Sequence, residues 1–196
     1  MENFFTLVLL VYRSPRRFAE GLLHAPAPQS GLAAVLLRSV LVSGLLYLPI
    51  ALLGHVPPTP SYLSFIVSER YYFALLWITP LVFLAHWLFF NALAHVSLRL
   101  LRQRSDIDLL LNLSGMIDLA IGVVLIAYDW VWIIGGWGNQ WVMGFSHLVI
   151  DVWAIAISVV ALKLLLDVPV WLGVALNIAA ILTWLPLAMM FMRSPV

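Results

Sequence analysis

Apolar residues fill five long stretches of this chain, with short polar breaks between them. Leu32–Leu53, Tyr71–Leu98, Leu109–Ile134, Phe145–Leu166 and Pro169–Met192 can each cross a hydrocarbon core of about 30 Å at about 1.5 Å per residue. The pattern predicts an all-α polytopic membrane protein, a bundle of five transmembrane helices over residues 31–196 preceded by an N-terminal segment, 1–30.

The breaks carry their own signals. Ala25–Ser30 holds Pro26 and Pro28 and ends on a serine suited to cap the first span. Pro57, Pro58 and Pro60 end that span and stiffen the connection to Glu69 and Arg70. Arg99–Asp108 joins the second and third spans, its arginines followed by Asp106 and Asp108, where carboxylates suit a helix N-terminus. The stretch Tyr128–Ser146 reads as a loop with an aromatic belt, holding Trp130, Trp132, Trp137 and Trp141 with Gly135, Gly136 and Gly138 among them. Asp167, Val168 and Pro169 leave room only for a tight antiparallel hairpin between the last two spans.

Threading the spans in order puts Arg13, Arg16, Arg17, Arg38, Arg99, Arg102, Arg104 and Lys163 on or near one side, and Arg70 and Arg193 on the other. The positive-inside rule then predicts a cytoplasmic N-terminus and an external C-terminus. Phe4–Tyr12 is too short to span, and Glu2 before it with Arg13, Arg16 and Arg17 after it reverses the charge order of a secretion signal. With Pro15 interrupting, residues 1–30 are expected to form one or two short interfacial amphipathic helices, a plain cytoplasmic tail docked on the bundle being the alternative. Phe4, Phe5, Phe18 and Leu22 would enter the lipid, and the arginines would meet anionic headgroups.

Composition removes several function classes. At 64% hydrophobic and 10% charged, the chain has no segment able to form a water-soluble domain, since soluble chains carry roughly a quarter charged residues. A net charge of +1 gives no basic patch for nucleic acid. The lack of cysteine excludes disulfides, thiolate metal sites and cysteine nucleophiles. No H-E-x-x-H, G-x-S-x-G, Walker A or Gly-rich dinucleotide motif is present, so no catalytic residue and no cofactor is assigned.

Candidate chemistry therefore rests on polar groups inside the spans, each of which needs a partner, water or a role at a cost of about 2.5–3.5 kcal/mol. Helical rise places His86 and Asp118 near mid-depth on neighbouring spans, where they are expected to pair. Arg38, about two turns into the first span, is expected to snorkel back to the headgroups. Asn91 and His95 share a helix face, and Asn177 lies at comparable depth, which predicts hydrogen bonds between helices. His147 and Asp151, four residues apart, are expected to share a hydrogen bond at the helix end, and are weak metal-ligand candidates with Asp129 as the third. The small-residue pairs Ser39/Ser43, Ala154/Ser158 and Ala175/Ala179 predict close helix packing. The glycosylation triplet Asn112-Leu113-Ser114 lies inside a span and has no meaning as an acceptor there.

Two features carry a family likeness: Arg13-Ser14-Pro15-Arg16-Arg17-Phe18 before five spans, and a final hairpin opened by Asp151-Val152-Trp153 and closed by Ala161-Leu162-Lys163. From about Val11 to Met192 the arrangement resembles the bacterial branch of the Yip1-domain membrane proteins. The resemblance implies five membrane helices, a cytoplasmic N-terminal segment and residence in the bacterial cytoplasmic (inner) membrane. It transfers no catalytic residue. The acidic and Gly-Pro-containing segments of the eukaryotic trafficking members have no counterpart here.

The first expectation is thus a non-enzymatic scaffold, membrane-organising factor or accessory subunit, partnered by lipid and by a homo-oligomer or larger membrane complex. A small transporter or channel using His86 and Asp118 with Asn91 and Asn177 is the alternative. A membrane enzyme or metal protein at His147 and Asp151 is the third.

Overall fold

The computed structural model describes residues 3–24, 29–57, 65–137 and 140–191. Those residues are helical or in short connections, with no strand. Two short helices, α1 (Phe4–Arg13) and α2 (Pro15–Leu22), precede α3 (Gln29–Val42), which continues through a π-helical turn, Ser43–Tyr47, into α4 (Leu48–Leu52). Then follow α5 (Tyr71–Leu100), α6 (Ile107–Gly135), α7 (Gln140–Leu166) and α8 (Val170–Phe191). Five helical stretches are long and apolar enough to cross a bilayer: Ser30–Leu52, Ser68–Leu100, Ile107–Gly135, Val142–Leu166 and Val170–Ala188. Pro26, Pro28, Pro58, Pro60, Gly138 and Arg193 fall outside the described residues.

Helix α6 is the centre of the bundle. Of its most apolar window 61% is buried, against 17% for α8: α1, α2, α3, α5 and α7 pack on it, while α8 packs on α5 and α7. Its ends are chemically fixed. Asp106 accepts the N–H groups of Asp108 at 3.0 Å and Leu109 at 3.2 Å, and Gly136 closes the helix in the left-handed conformation at φ 61°. The helix runs on to Gly135, so Trp130 and Trp132 are helical and the connection to α7 is shorter than the loop predicted from Tyr128 to Ser146. The end carrying Arg99, Arg102 and Arg104 is called the basic end below, and the other the tryptophan end.

Helices α3 and α6 run side by side in the same direction and touch through backbone. A Cβ on Gly115 would lie 2.5 Å from the Gly31 carbonyl oxygen, and one on Gly31 would lie 2.3 Å from that of Leu111. Asn112 Oδ1 accepts the Gly31 N–H at 2.7 Å, so a first-turn amide of α3 is capped from another helix. This approach is made by glycines, which the expected serine and alanine pairs did not include. Ala175 is exposed.

Two prolines break hydrogen-bond ladders at the tryptophan half, and side chains from other helices repair both. Pro49 cannot donate to the Leu45 carbonyl, which instead accepts the Trp130 indole N–H at 2.7 Å. Pro80 cannot donate to Leu76, whose carbonyl accepts from the Ser43 hydroxyl at 3.4 Å. The π turn carries Ser43 and Leu45, so α3, α5 and α6 are stitched together there.

The N-terminal helices sit differently from an interfacial pair. Phe18 and Leu22 are fully buried in the bundle core beside α6 and α7, so they are not the lipid contacts expected. Phe4 is partly buried against the same core, whereas Phe5 is 68% exposed. The Tyr12 hydroxyl donates to the Ala120 carbonyl and its ring lies 5.8 Å from that of Trp153. Ala120 stands about 20 Å from the start of α6, so α1 reaches well into the bundle. Its groove on α6 and α7 offers more apolar burial than a flat headgroup surface. Arg13, Arg16 and Arg17 remain exposed, with Arg16 3.4 Å from Glu20.

Replacing Gly115 by Ala is expected to destabilise the bundle by about 1–3 kcal/mol, because two helix backbones must separate. Gly144→Ala, where an added methyl meets nothing within 4 Å, should change the melting temperature in detergent little.

Candidate functional site

Five helices bring one polar side chain each to a common level. Counted at about 1.5 Å per residue from the basic end, Asp118 of α6 stands at about 16 Å, Thr183 of α8 at about 20 Å, His86 of α5 at about 21 Å and Asp151 of α7 at about 22 Å. Arg38 joins them from α3. The glycine contact sets its position: the step from Gly31 to Arg38 on one helix matches the step from Gly115 to Gly122 on the other, so Arg38 lies across Gly122. A Cβ there would sit 2.8 Å from Arg38 Nε.

Arg38 Nη1 forms an ion pair with Asp118 Oδ1, and the guanidinium lies over the Phe83 ring at 4.5 Å. Two expectations are corrected together. Asp118 pairs with Arg38 rather than His86, and Arg38, 13% exposed, turns inward rather than snorkelling. The physical reason is register, since α3 is held against α6 where its arginine meets a glycine trough one turn above the carboxylate. Arg38 Nε has no hydrogen-bond partner among the described residues. Asp118 keeps 40% of its side chain exposed.

His86 belongs instead to α8. Its Nε2 lies 3.2 Å from Thr183 Oγ1, and its ring packs 5.0 Å from Trp184. The Thr183 hydroxyl donates to the Ala180 carbonyl at 2.9 Å, leaving its oxygen to accept from an Nε2–H on His86. His86 remains within electrostatic reach of both Asp118 and Arg38.

Towards the tryptophan end, His147 Nε2 meets Asp129 Oδ1 at 2.9 Å, and the Tyr128 hydroxyl donates to Ser146. This corrects the hydrogen bond expected between His147 and Asp151, and the weak metal reading with it. His147 is turned to α6 rather than to Asp151, and no group of three or more His, Asp or Glu side chains converges on an ion position among the described residues. Asp151 makes no hydrogen bond or ion pair among them, yet lies within electrostatic reach of His147, Arg38 and Asp118.

On the basic side, Asn91 Nδ2 donates to Ser114 Oγ at 2.8 Å and to the Trp87 carbonyl at 2.7 Å, and the Trp87 indole donates to Ser114 Oγ at 3.0 Å. Asn91 and Ser114, with Ser158 and Asn177, border a cavity of ≈ 30 Å³, enough for about one water. Asn177 Nδ2 donates within its own helix to Gly173, and His95 Nδ1 meets Ser105 Oγ at 2.9 Å beside the basic loop. Sequence reasoning missed Asn112, Gly115, Ser114 and Gly122. Their signal was the shared seven-residue step between Gly31–Arg38 and Gly115–Gly122.

A double-mutant cycle separates the two pairings. Arg38→Met with Asp118→Leu should show a coupling of about 1–3 kcal/mol in unfolding, whereas His86→Ala with Asp118→Leu should be additive within about 0.5 kcal/mol. His86→Ala with Thr183→Val should couple by about 1 kcal/mol.

No protein-family model matches the chain, and neither a curated protein nor a solved structure is found to resemble it.

Proposed function

We propose that this chain is a non-enzymatic integral membrane protein of Yip1-like type, seated in a bacterial cytoplasmic membrane with its N-terminus inside and C-terminus outside. It acts as a scaffold, a membrane-organising factor or an accessory subunit of a larger assembly. The carrying observation is that most interior polar groups are joined to a different helix: Arg38 to Asp118, His86 to Thr183, Asp129 to His147 and Asn91 to Ser114. Such ties favour one fixed arrangement of helices over a path that opens and closes. The cavity beside Asn91, with room for about one water, is too small to pass a solute.

The orientation draws support from the exposed arginines. Arg13, Arg16, Arg17, Arg99, Arg102 and Arg104 all face outward, a set suited to anionic headgroups at about 1 kcal/mol each. Arg38, spent on Asp118, drops out of that count without changing its sign.

A transporter is the second reading, favoured by one observation: Asp118 is 40% exposed at the level where five helices converge.

The native chain has no cysteine, so single introduced thiols report topology without background. Gln103→Cys should resist a membrane-impermeant maleimide applied outside intact cells, and Trp137→Cys should react. The opposite pattern would reverse the orientation. In proteoliposomes under a pH gradient, dye-reported proton entry should equal that of protein-free vesicles. A flux above this baseline that vanishes in Asp118→Asn would replace the scaffold with the transporter.

A further inference from the structure

Helices α1 and α2 both bury one face in the bundle, but their outward faces differ in chemistry. On α2 the outward face carries Arg16, Arg17 and Glu20, all exposed, as suits a helix at a headgroup surface. On α1 it carries Phe5 and Leu9, 68% and 51% exposed, opposite the buried Leu7 and Val11. No charged side chain stands between Asn3 and Tyr12. The Thr6 hydroxyl donates to Asn3 Oδ1 at 2.8 Å, and the Thr6 N–H reaches the same oxygen at 2.8 Å. Helix α1 is therefore apolar all round, with its polar groups satisfied locally, which fits hydrocarbon on its bare side better than water.

Its contacts set its depth. The Tyr12 hydroxyl reaches the Ala120 carbonyl, so even with that side chain fully extended towards the tryptophan end, the Tyr12 backbone lies about two helical turns past the Asp106 cap of α6. Trp153, whose ring lies beside that of Tyr12, stands about 20 Å from the basic end of α7. Leu7 and Val11 belong to the same buried cluster as Met116, Ala120 and Ile121. At about 1.5 Å per residue, the 10 residues of α1 make half a span, too short to cross but long enough to line one half of α6. Arg13 is exposed at its C-terminal end, where a cation suits the helix dipole and a long stem can return the guanidinium to the headgroups.

We infer that α1 is a half-length membrane helix laid against α6 inside the hydrocarbon, and that lipid acyl chains pack its outward face at Phe5 and Leu9. The occupant follows from continuity. Beside the Tyr12 and Trp153 rings, α7 presents Val149 and Val152, both exposed and apolar, so the bare face of α1 extends the surface that the spans turn to lipid. Headgroup contact is left to the charged face of α2 and to Arg13. The inference rests on the membrane-embedded reading above and names the partner of one surface within it.

The test is fluorescence quenching on the full-length chain in phosphatidylcholine nanodiscs, with a bimane label on single cysteines introduced as Leu9→Cys, Phe5→Cys, Val152→Cys and Glu20→Cys. One quencher is a nitroxide carried on the lipid acyl chain, and the other is iodide in the water. All four positions are exposed, so the label displaces no buried contact. Leu9→Cys and Phe5→Cys should lose most of their emission to the nitroxide, as Val152→Cys does, and resist iodide. Glu20→Cys should show the reverse. A Val152→Cys label that resists the nitroxide overturns the membrane reading itself. With Val152→Cys quenched, iodide reaching Leu9→Cys or Phe5→Cys places that face outside the hydrocarbon and overturns the embedding of α1. Resistance of both to both quenchers means that a second copy or a partner helix covers the face, and overturns the lipid contact.

Discussion

The contact between Gly31 and Gly115 is the constraint from which much of the interior follows. With a side chain at either position the two helix backbones could not touch, and Asn112 could not reach the Gly31 amide. Once they touch, the parallel course of α3 and α6 repeats the contact seven residues on. There the partner of Gly122 is no longer backbone but the stem of Arg38. The arginine is held by sterics, by the Phe83 ring and by Asp118, a set that places a charge in the bundle more firmly than an ion pair alone.

Below and above that level the polar groups act as ties with different reach. Asn91, Ser114 and Trp87 bind α5 to α6 on the basic side, and Asp129 with His147 binds α6 to α7 on the tryptophan side. Because α6 takes part in each of these, its burial and its polarity have the same origin. A central helix meets most of its neighbours, and polar side chains among apolar surroundings are spent where they can find partners. Helix α8, on the outside, contributes mainly Thr183 and otherwise a bare apolar face.

The proline-freed carbonyls of Leu45 and Leu76 show the same economy applied to backbone. Each would be an unsatisfied acceptor, and each is met by a side chain from across a helix interface. The π turn at Ser43–Tyr47 widens the helix where these contacts are made, so local irregularity and interhelical bonding coincide.

The sequence by itself determined the five apolar helices, the three-residue turn between the last two, the Asp106 cap and the gathering of exposed arginines at one end. These depend on run length, on prolines and on charge, which are local properties of the chain. Mid-depth positions of His86 and Asp118 were also legible, because depth is only a count of residues at fixed rise. Which of them meet was decided by tertiary structure, since partner choice depends on helix rotation and register, and a run apolar on all sides encodes neither. Hence Asp118 turned to Arg38, His86 to Thr183 and His147 to Asp129. Docking of residues 1–30 on the bundle was open as an alternative, but that Phe18 and Leu22 enter the core beside α6 and α7 is a property of the assembled helices. The glycines were visible as letters, but the fit of Gly122 to an arginine stem exists only when two helices are side by side.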